Sequence, residues 1–193
     1  MQPKGAVKKV PFLQNKYPKN VNSTQKARKP SPFVWNIFMP LLKIRASLIF
    51  IVSGVMDKNE LIRRLGRTAE EKKLVLPSFT DAVIEREVDY PTRLSTEYIN
   101  VAVPHTNECH VVQQAIIVAK LDKPIEFVAM GTDDEKVPVE YVFLLLLKND
   151  NAQVPLLQKL MNMCTDKKAT EQLKKAHTAE EVLHVINGYY SVS

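Results

Sequence analysis

The run Val139-Glu-Tyr-Val-Phe-Leu-Leu-Leu-Leu147 is interrupted by a single carboxylate. A strand this continuously apolar, without the in/out alternation of a half-solvated sheet, reads as a central strand covered on both faces. That requirement constrains the fold most, because it calls for a covering layer on each side of the sheet. Candidate neighbours are the β-branched and aromatic stretches Ser47–Ser53, Asn100–Val103, Gln114–Ala119 and Ile125–Met130. Asp122-Lys-Pro124 is expected to turn the chain between the last two, and Gly131–Asp134 to turn it again.

The covering layers read as helices. Asp57 with Glu60 resembles a capping box ahead of a stripe formed by Leu61, Ile62, Leu65 and Ala69. Leu74–Pro77 closes that unit. A second helix is expected from about Ser78, burying Phe79, Ala82 and Val83 and stopping before Pro91. Leu156, Leu157, Leu160, Met161 and Cys164 follow helical spacing, with Pro155 expected in the first turn. Thr178 with Glu181 starts a last helix through Val182, Leu183 and Ile186, with Gly188 as its C-cap. The fold class is α/β: a single domain with a mixed β-sheet flanked by helices. The expected domain spans 38–188, with a short tail at 189–193.

Charge is distributed unevenly. Ten Lys/Arg and no Asp/Glu lie between Met1 and Arg45, leaving 17 basic residues against 21 acidic ones in the remainder. Residues 1–35 have few large apolar side chains, so they are expected to be a disordered basic leader. Such a leader is either a solubilising tail or an arm for nucleic acid or an acidic membrane surface. Neither reading makes the domain itself a nucleic-acid binder. Phe33–Val55 is mostly apolar, but Pro40, Lys43 and Arg45 interrupt it, so it reads as entry into the fold and not as a span. With five glycines there is no Gly-rich phosphate loop, which argues against a nucleotide site. The two cysteines, Cys109 and Cys164, suit a reducing cytoplasm and neither a disulfide framework nor structural zinc. His105, Cys109 and His110 lack a clear fourth ligand, so no metal is expected. His177 and His184 read as solvated.

One histidine stands out. Val101-Ala-Val-Pro-His105 is a strand ended by a proline that cannot continue a central ladder, which puts His105 at a strand end. Functional groups in α/β folds are common there. A lone histidine is more often structural or simply exposed, so the position alone leaves its role open.

A resemblance bears on that choice. Arg86-Glu87, Pro91-Thr92, Val101-Ala-Val-Pro-His105, Lys123-Pro-Ile-Glu-Phe127, Val137-Pro-Val139, Phe143–Leu146 and Leu156-Leu-Gln-Lys-Leu-Met161 occur in order. Together they resemble the mannitol/fructose-type (type 2) enzyme IIA domains of bacterial sugar phosphotransferase systems, over roughly Pro40–Ile186. Tyr90-Pro-Thr, Pro-His-Thr106 and the Gln-Lys-Leu-Met helix look most like the galactitol branch.

The resemblance implies that His105 accepts phosphoryl from the phosphocarrier HPr. It then passes the group to a cysteine of enzyme IIB, which serves the membrane enzyme IIC, with no cofactor and no direct sugar binding. Arg86 is implied as the phosphate stabiliser, its guanidinium fork matching phosphate oxygens. The physics fits, since a neutral imidazole is nucleophilic near neutrality and phosphoryl transfer needs mainly positioning and charge stabilisation. The docking surface around His105 is expected to be shallow and apolar, with Ile99, Val101 and Val103 contributing where they face outward.

Two positions depart from the family pattern. Many relatives carry a second histidine where this chain has Gln153. Its amide can hydrogen-bond phosphate or imidazole from just before a helix start, or it is a plain loop residue. Relatives usually have glycine where this chain has Arg93, which strains the turn, sits in a relaxed one, or adds charge to the site. Thr92 and Ser95 either bind phosphate or serve a turn. Related IIA domains also act as regulators that report phosphoryl flux, which is the alternative function.

Overall fold

The structure is a computed structural model. It describes residues 45–55, 57–128, 136–148 and 150–192. The expected leader, the start near Phe38, the end of the strand at Met130 and the Gly131–Asp134 turn lie outside the described residues.

Val139–Leu147 forms the centre of the fold. All of it but Leu147 belongs to β5 (Lys136–Leu146), in a five-stranded sheet with β1 (Ile49–Val52), β2 (Arg93–Ser95), β3 (Asn100–Ala102) and β4 (Ala115–Val128). The spatial order is β1-β4-β5-β3-β2. The outer pairs differ in direction: β1 runs parallel to β4 and β3 parallel to β5, whereas β4–β5 and β2–β3 are antiparallel. Successive side chains of β5 go to opposite faces, as the pleat requires. Val142, Leu144 and Leu146 pack under α1 (Lys58–Glu71) and α2 (Phe79–Asp89), against Leu61, Leu65, Phe79 and Val83. Tyr141, Phe143 and Leu145 pack under α3 (Asp150–Thr165), α4 (Lys167–Lys175) and α5 (Ala179–Val192), against Leu160, Met163, Leu173 and Ile186. The expected single α/β domain with a mixed, two-sided sheet is what the chain forms.

Local signals hold where their chemistry is short-range. Asp57 accepts from Asn59 N–H and Glu60 N–H at 2.8 and 2.9 Å, capping α1. At α5 the box closes both ways: Glu181 N–H donates to Thr178 Oγ1, and Glu181 Oε2 accepts from His177 and Thr178 N–H. The layer over the first face is tight. A Cβ at Gly66 of α1 would lie 2.1 Å from Thr80 Oγ1 of α2, so glycine is what lets these helices approach.

Three local expectations fail, and one helix was not foreseen. Asp122-Lys-Pro124 does not reverse the chain; β4 continues to Val128 and the three residues fall within a register shift against β5. β1 pairs only as far as Leu121, so Pro124 sits where one edge of β4 has no strand to serve. Pro155 is the sixth residue of α3 and not in its first turn, because the helix begins at Asp150. Gly188 lies inside α5, which runs on to Val192. Finally, α4 interposes a separate helix after Thr165. Asp166 caps it, accepting from Ala169 N–H at 2.7 Å.

The end of α4 is tied to the sheet by charge. Lys120 Nζ donates to the carbonyls of Leu173 (3.1 Å), Lys174 (2.8 Å) and Ala176, and Tyr141 Oη donates to Leu173 at 2.7 Å. The ammonium thereby satisfies orphan carbonyls at the negative end of a helix dipole. Lys120→Met should lower unfolding stability by about 2 kcal/mol in urea titration, since hydrogen bonds to a charged group are worth about 1.5–3 kcal/mol; an unchanged midpoint would contradict this tie.

The thiols differ in the same two-layer terms. Cys109 is exposed, whereas Cys164 is buried under the second face, and burial pushes its thiol up to about 12. A disulfide reagent at mildly alkaline pH should therefore modify one thiol in the native protein and both after unfolding. Modification of both at equal rates in the native state would contradict this burial.

Candidate functional site

The chain leaves β3 as Val103-Pro104-His105 and does not turn away at once. Leu145 N–H of β5 donates to Pro104 O at 2.9 Å, and His105 pairs with Leu145 in a parallel bridge. Proline has no N–H to lose here, so it serves at the end of the strand. His105 keeps 8% of its surface open. Its Nδ1 lies 2.8 Å from Val103 O. A carbonyl oxygen can only accept, so Nδ1 carries the hydrogen and, in the neutral ring, Nε2 carries the lone pair.

Both helical layers reach this end of the sheet. α3 starts a few residues after β5 ends, and its other end lies near the start of β3, where Thr96 Oγ1 donates to both Ile99 O and Cys164 O. The positive end of the α3 dipole is therefore at the His105 end. Gln153 is the fourth residue of α3, inside its first turn and not ahead of it; its side chain lies outside the described part. From the other layer, α2 brings Arg86 and Glu87 in its last turns. Arg86 is half-buried with its guanidinium 5.7 Å from the Tyr90 ring centroid, and among the described residues it has no carboxylate partner.

Glu87 is buried, with 1% of its surface exposed. Its Oε1 accepts from Thr92 N–H at 3.0 Å and its Oε2 from Thr92 Oγ1 at 2.7 Å. The Thr92 hydroxyl is thus committed to Glu87 and is not offered to a phosphate. Ser95 is not in a turn; it ends β2, opposite Asn100, and its side chain lies outside the described part. Arg93 opens β2 in extended conformation, opposite Ala102. Among the described residues the non-glycine with positive φ is Lys73, so Arg93 carries no backbone strain. It is 93% buried by its 7% exposure, and its Nε has no hydrogen-bond partner among the described residues. What it costs is electrostatic.

Ile99, Val101 and Val103 all face the second core cluster, so they supply no docking surface. Exposed apolar side chains at the helix ends that reach here include Val88 (65%) and Tyr90 (68%) at the end of α2 and Val154 (71%) near the start of α3, which the sequence periodicity did not single out. His110 serves a structural tie: its Nδ1 is 2.8 Å from Ser78 Oγ and its carbonyl accepts from Leu76 N–H. Among the described residues no three His, Cys, Asp or Glu side chains gather as a metal-holding group. Nor is any helix among them long and apolar enough to cross a membrane.

The five-stranded mixed sheet between two helical layers matches the fold of solved mannitol enzyme IIA domains. The enzyme IIA in a complex of the mannitol enzyme IIA and phosphorylated enzyme IIB of Escherichia coli superposes with a TM-score of 0.63 at 25% identity, over 77% of this chain and 99% of that one. The crystal structure of the mannitol IIA of the same organism gives 0.62 at 24% identity, over 75% and 99%. Residues 43–189 match the family described as "Phosphoenolpyruvate-dependent sugar phosphotransferase system, EIIA 2", and the chain belongs to it. It is a phosphotransferase component, the phosphoryl carrier of such a system. The galactitol-specific EIIA component of Escherichia coli is 29% identical over 114 residues, 58% of this chain and 75% of the relative. The mannitol-specific enzyme IIA component of Geobacillus stearothermophilus is 27% identical over 154 residues, 77% and 97%.

Burial lifts the Glu87 carboxyl above its ordinary value, outweighing the Thr92 hydrogen bonds and the nearby Lys58 and Arg86 charges that pull it down. A carboxyl raised in the folded state contributes most stability below its unfolded pKa and loses it as pH rises through the folded one. The stability of the wild-type protein relative to Glu87→Gln should therefore fall as pH is raised from about 4 to 8 in a urea series. A difference that grows with pH would contradict this environment.

Proposed function

We propose that His105 Nε2 is the atom that carries the phosphoryl group. The observation that carries this reading is the Nδ1···Val103 O hydrogen bond, which puts the lone pair on Nε2 at the end of the sheet. Nε2 attacks the phosphorus of phospho-HPr; the N–P bond of the donor imidazole breaks as the new one forms, and the donor nitrogen recovers its electron pair. In the second step a thiolate of an enzyme IIB attacks the same phosphorus, an S–P bond forms, and His105 is regenerated. That partner is supported by the mannitol IIA–phospho-IIB complex, and it would hand the group to sugar at the membrane enzyme IIC. No cofactor or bound sugar enters either step.

Arg86 stabilises the transferring group, since a guanidinium with no carboxylate partner among the described residues is available to phosphate oxygens. The α3 N-terminus adds partial positive charge, and Gln153, in its first turn, is a candidate donor to the phosphoryl or the imidazole. Val88, Tyr90 and Val154 form the apolar rim on which two partners dock in turn. The substrate of the system is a sugar or polyol of the galactitol kind, supported by the 29% identical galactitol component, and the site of action is the cytoplasm.

Incubation with labelled phosphoenolpyruvate, the general enzyme of the system and HPr tests the assignment. His105→Ala should abolish labelling, Arg86→Gln should slow it at least about tenfold, and His110→Ala and His177→Ala should leave it intact. Undiminished labelling of His105→Ala would overturn the reading.

A further inference from the structure

The β2–β3 ladder contains an incomplete pair. Arg93 lies opposite Ala102, and Leu94 opposite Val101, so the same register puts Thr92 opposite Val103. A hydrogen-bonded antiparallel pair exchanges both of its N–H···O bonds. Here Val103 N–H donates to Thr92 O at 3.3 Å. The reciprocal donor, Thr92 N–H, goes instead to Glu87 Oε1 at 3.0 Å, and the Thr92 hydroxyl secures the second carboxylate oxygen at 2.7 Å. The Val103 carbonyl, relieved of its ladder partner, is the acceptor for His105 Nδ1 at 2.8 Å.

We propose that Glu87 is a positioning residue for the phosphoryl-transfer chemistry. By holding Thr92 N–H out of the ladder, it keeps the Val103 carbonyl for the imidazole and so keeps His105 in the Nδ1–H tautomer. The inference deepens the phosphoryl-relay reading and rests on it for its functional consequence. A carboxylate suits the task because it accepts twice and donates nothing: it can draw both Thr92 donors at once without competing for the carbonyl. Its burial at 1% exposure, on a helix otherwise packed by apolar side chains, is otherwise a cost with no return. The arrangement parallels the general rule that the partner of one imidazole nitrogen decides what the other can do. It differs in acting through the backbone rather than by direct contact.

The test reads the ring directly. Nitrogen-15 spectra of the His105 side chain should show a protonated Nδ1 and an unprotonated Nε2 in the wild-type protein above its ring titration. In Glu87→Ala, Thr92 N–H returns to Val103 O, and the spectra should move toward a tautomer mixture, with phosphoryl uptake from phospho-HPr slowed about tenfold or more. Glu87→Gln, whose amide oxygen still accepts from Thr92 N–H, should restore both readouts. Glu87→Asp, one methylene short, should shift the ring in the same direction as alanine and serves if the alanine variant does not fold. Ring nitrogens unchanged in Glu87→Ala and Glu87→Asp would overturn the inference, whatever happens to stability. Failure of the wild-type protein to accept phosphoryl would overturn the relay reading instead, and the ring spectra would still decide the role of Glu87.

Discussion

The hydrogen bond from His105 Nδ1 to the Val103 carbonyl, two residues back along its own chain, is the contact on which the site depends. It fixes the plane of the ring and the nitrogen that bears the lone pair. It exists because the ladder stops here. Pro104 has no N–H, Val103 N–H is used by Thr92, and the Pro104 carbonyl is used by Leu145. The backbone groups of Val103 and Pro104 are thus assigned, and one of their carbonyls is assigned to a side chain. A histidine on a mobile loop would have to find its tautomer and orientation anew at each encounter. This one has both set by the end of a sheet whose interior is fully packed.

In the proposed relay, that packing supplies the positioning that in-line transfer between two proteins needs. β5 is buried on both faces, so its end is held by two separate helical layers, and each brings something to the same place. In the proposed site, α2 contributes Arg86 and the Glu87–Thr92 contact, and α3 contributes its N-terminus. Neither layer could build the site alone. The Lys120 tie at the far end of α4 belongs to the same logic, because it docks the second layer to the strands that carry the site.

Much of this was legible in the residues. The apolar run Val139–Leu147 implied a two-sided sheet, Pro104 placed His105 at a strand end, and Asp57 and Thr178 marked helix starts, because each of these signals acts within a few residues. What was missed acts at longer range. The Asp122-Lys-Pro124 bulge depends on where β1 stops, and β2 is a three-residue strand defined by its partner β3. Pro155 sits deeper in α3 than its sequence suggests, since the helix reaches back to Asp150. The Glu87–Thr92 pair is five residues apart in a stretch read for its arginine, and nothing local distinguishes a buried carboxylate from an exposed one. Ile99, Val101 and Val103 were candidates for a docking face only because alternation does not say which face is open.

The most direct test of the account is the identity of the nitrogen that bears phosphorus. Phosphorus-31 and nitrogen-15 spectra of the protein phosphorylated through HPr should show a phosphohistidine bonded through Nε2, with Nδ1 still protonated against the Val103 carbonyl. A phosphohistidine bonded through Nδ1 would mean that this hydrogen bond is broken in the working protein, and the account of the site would be wrong.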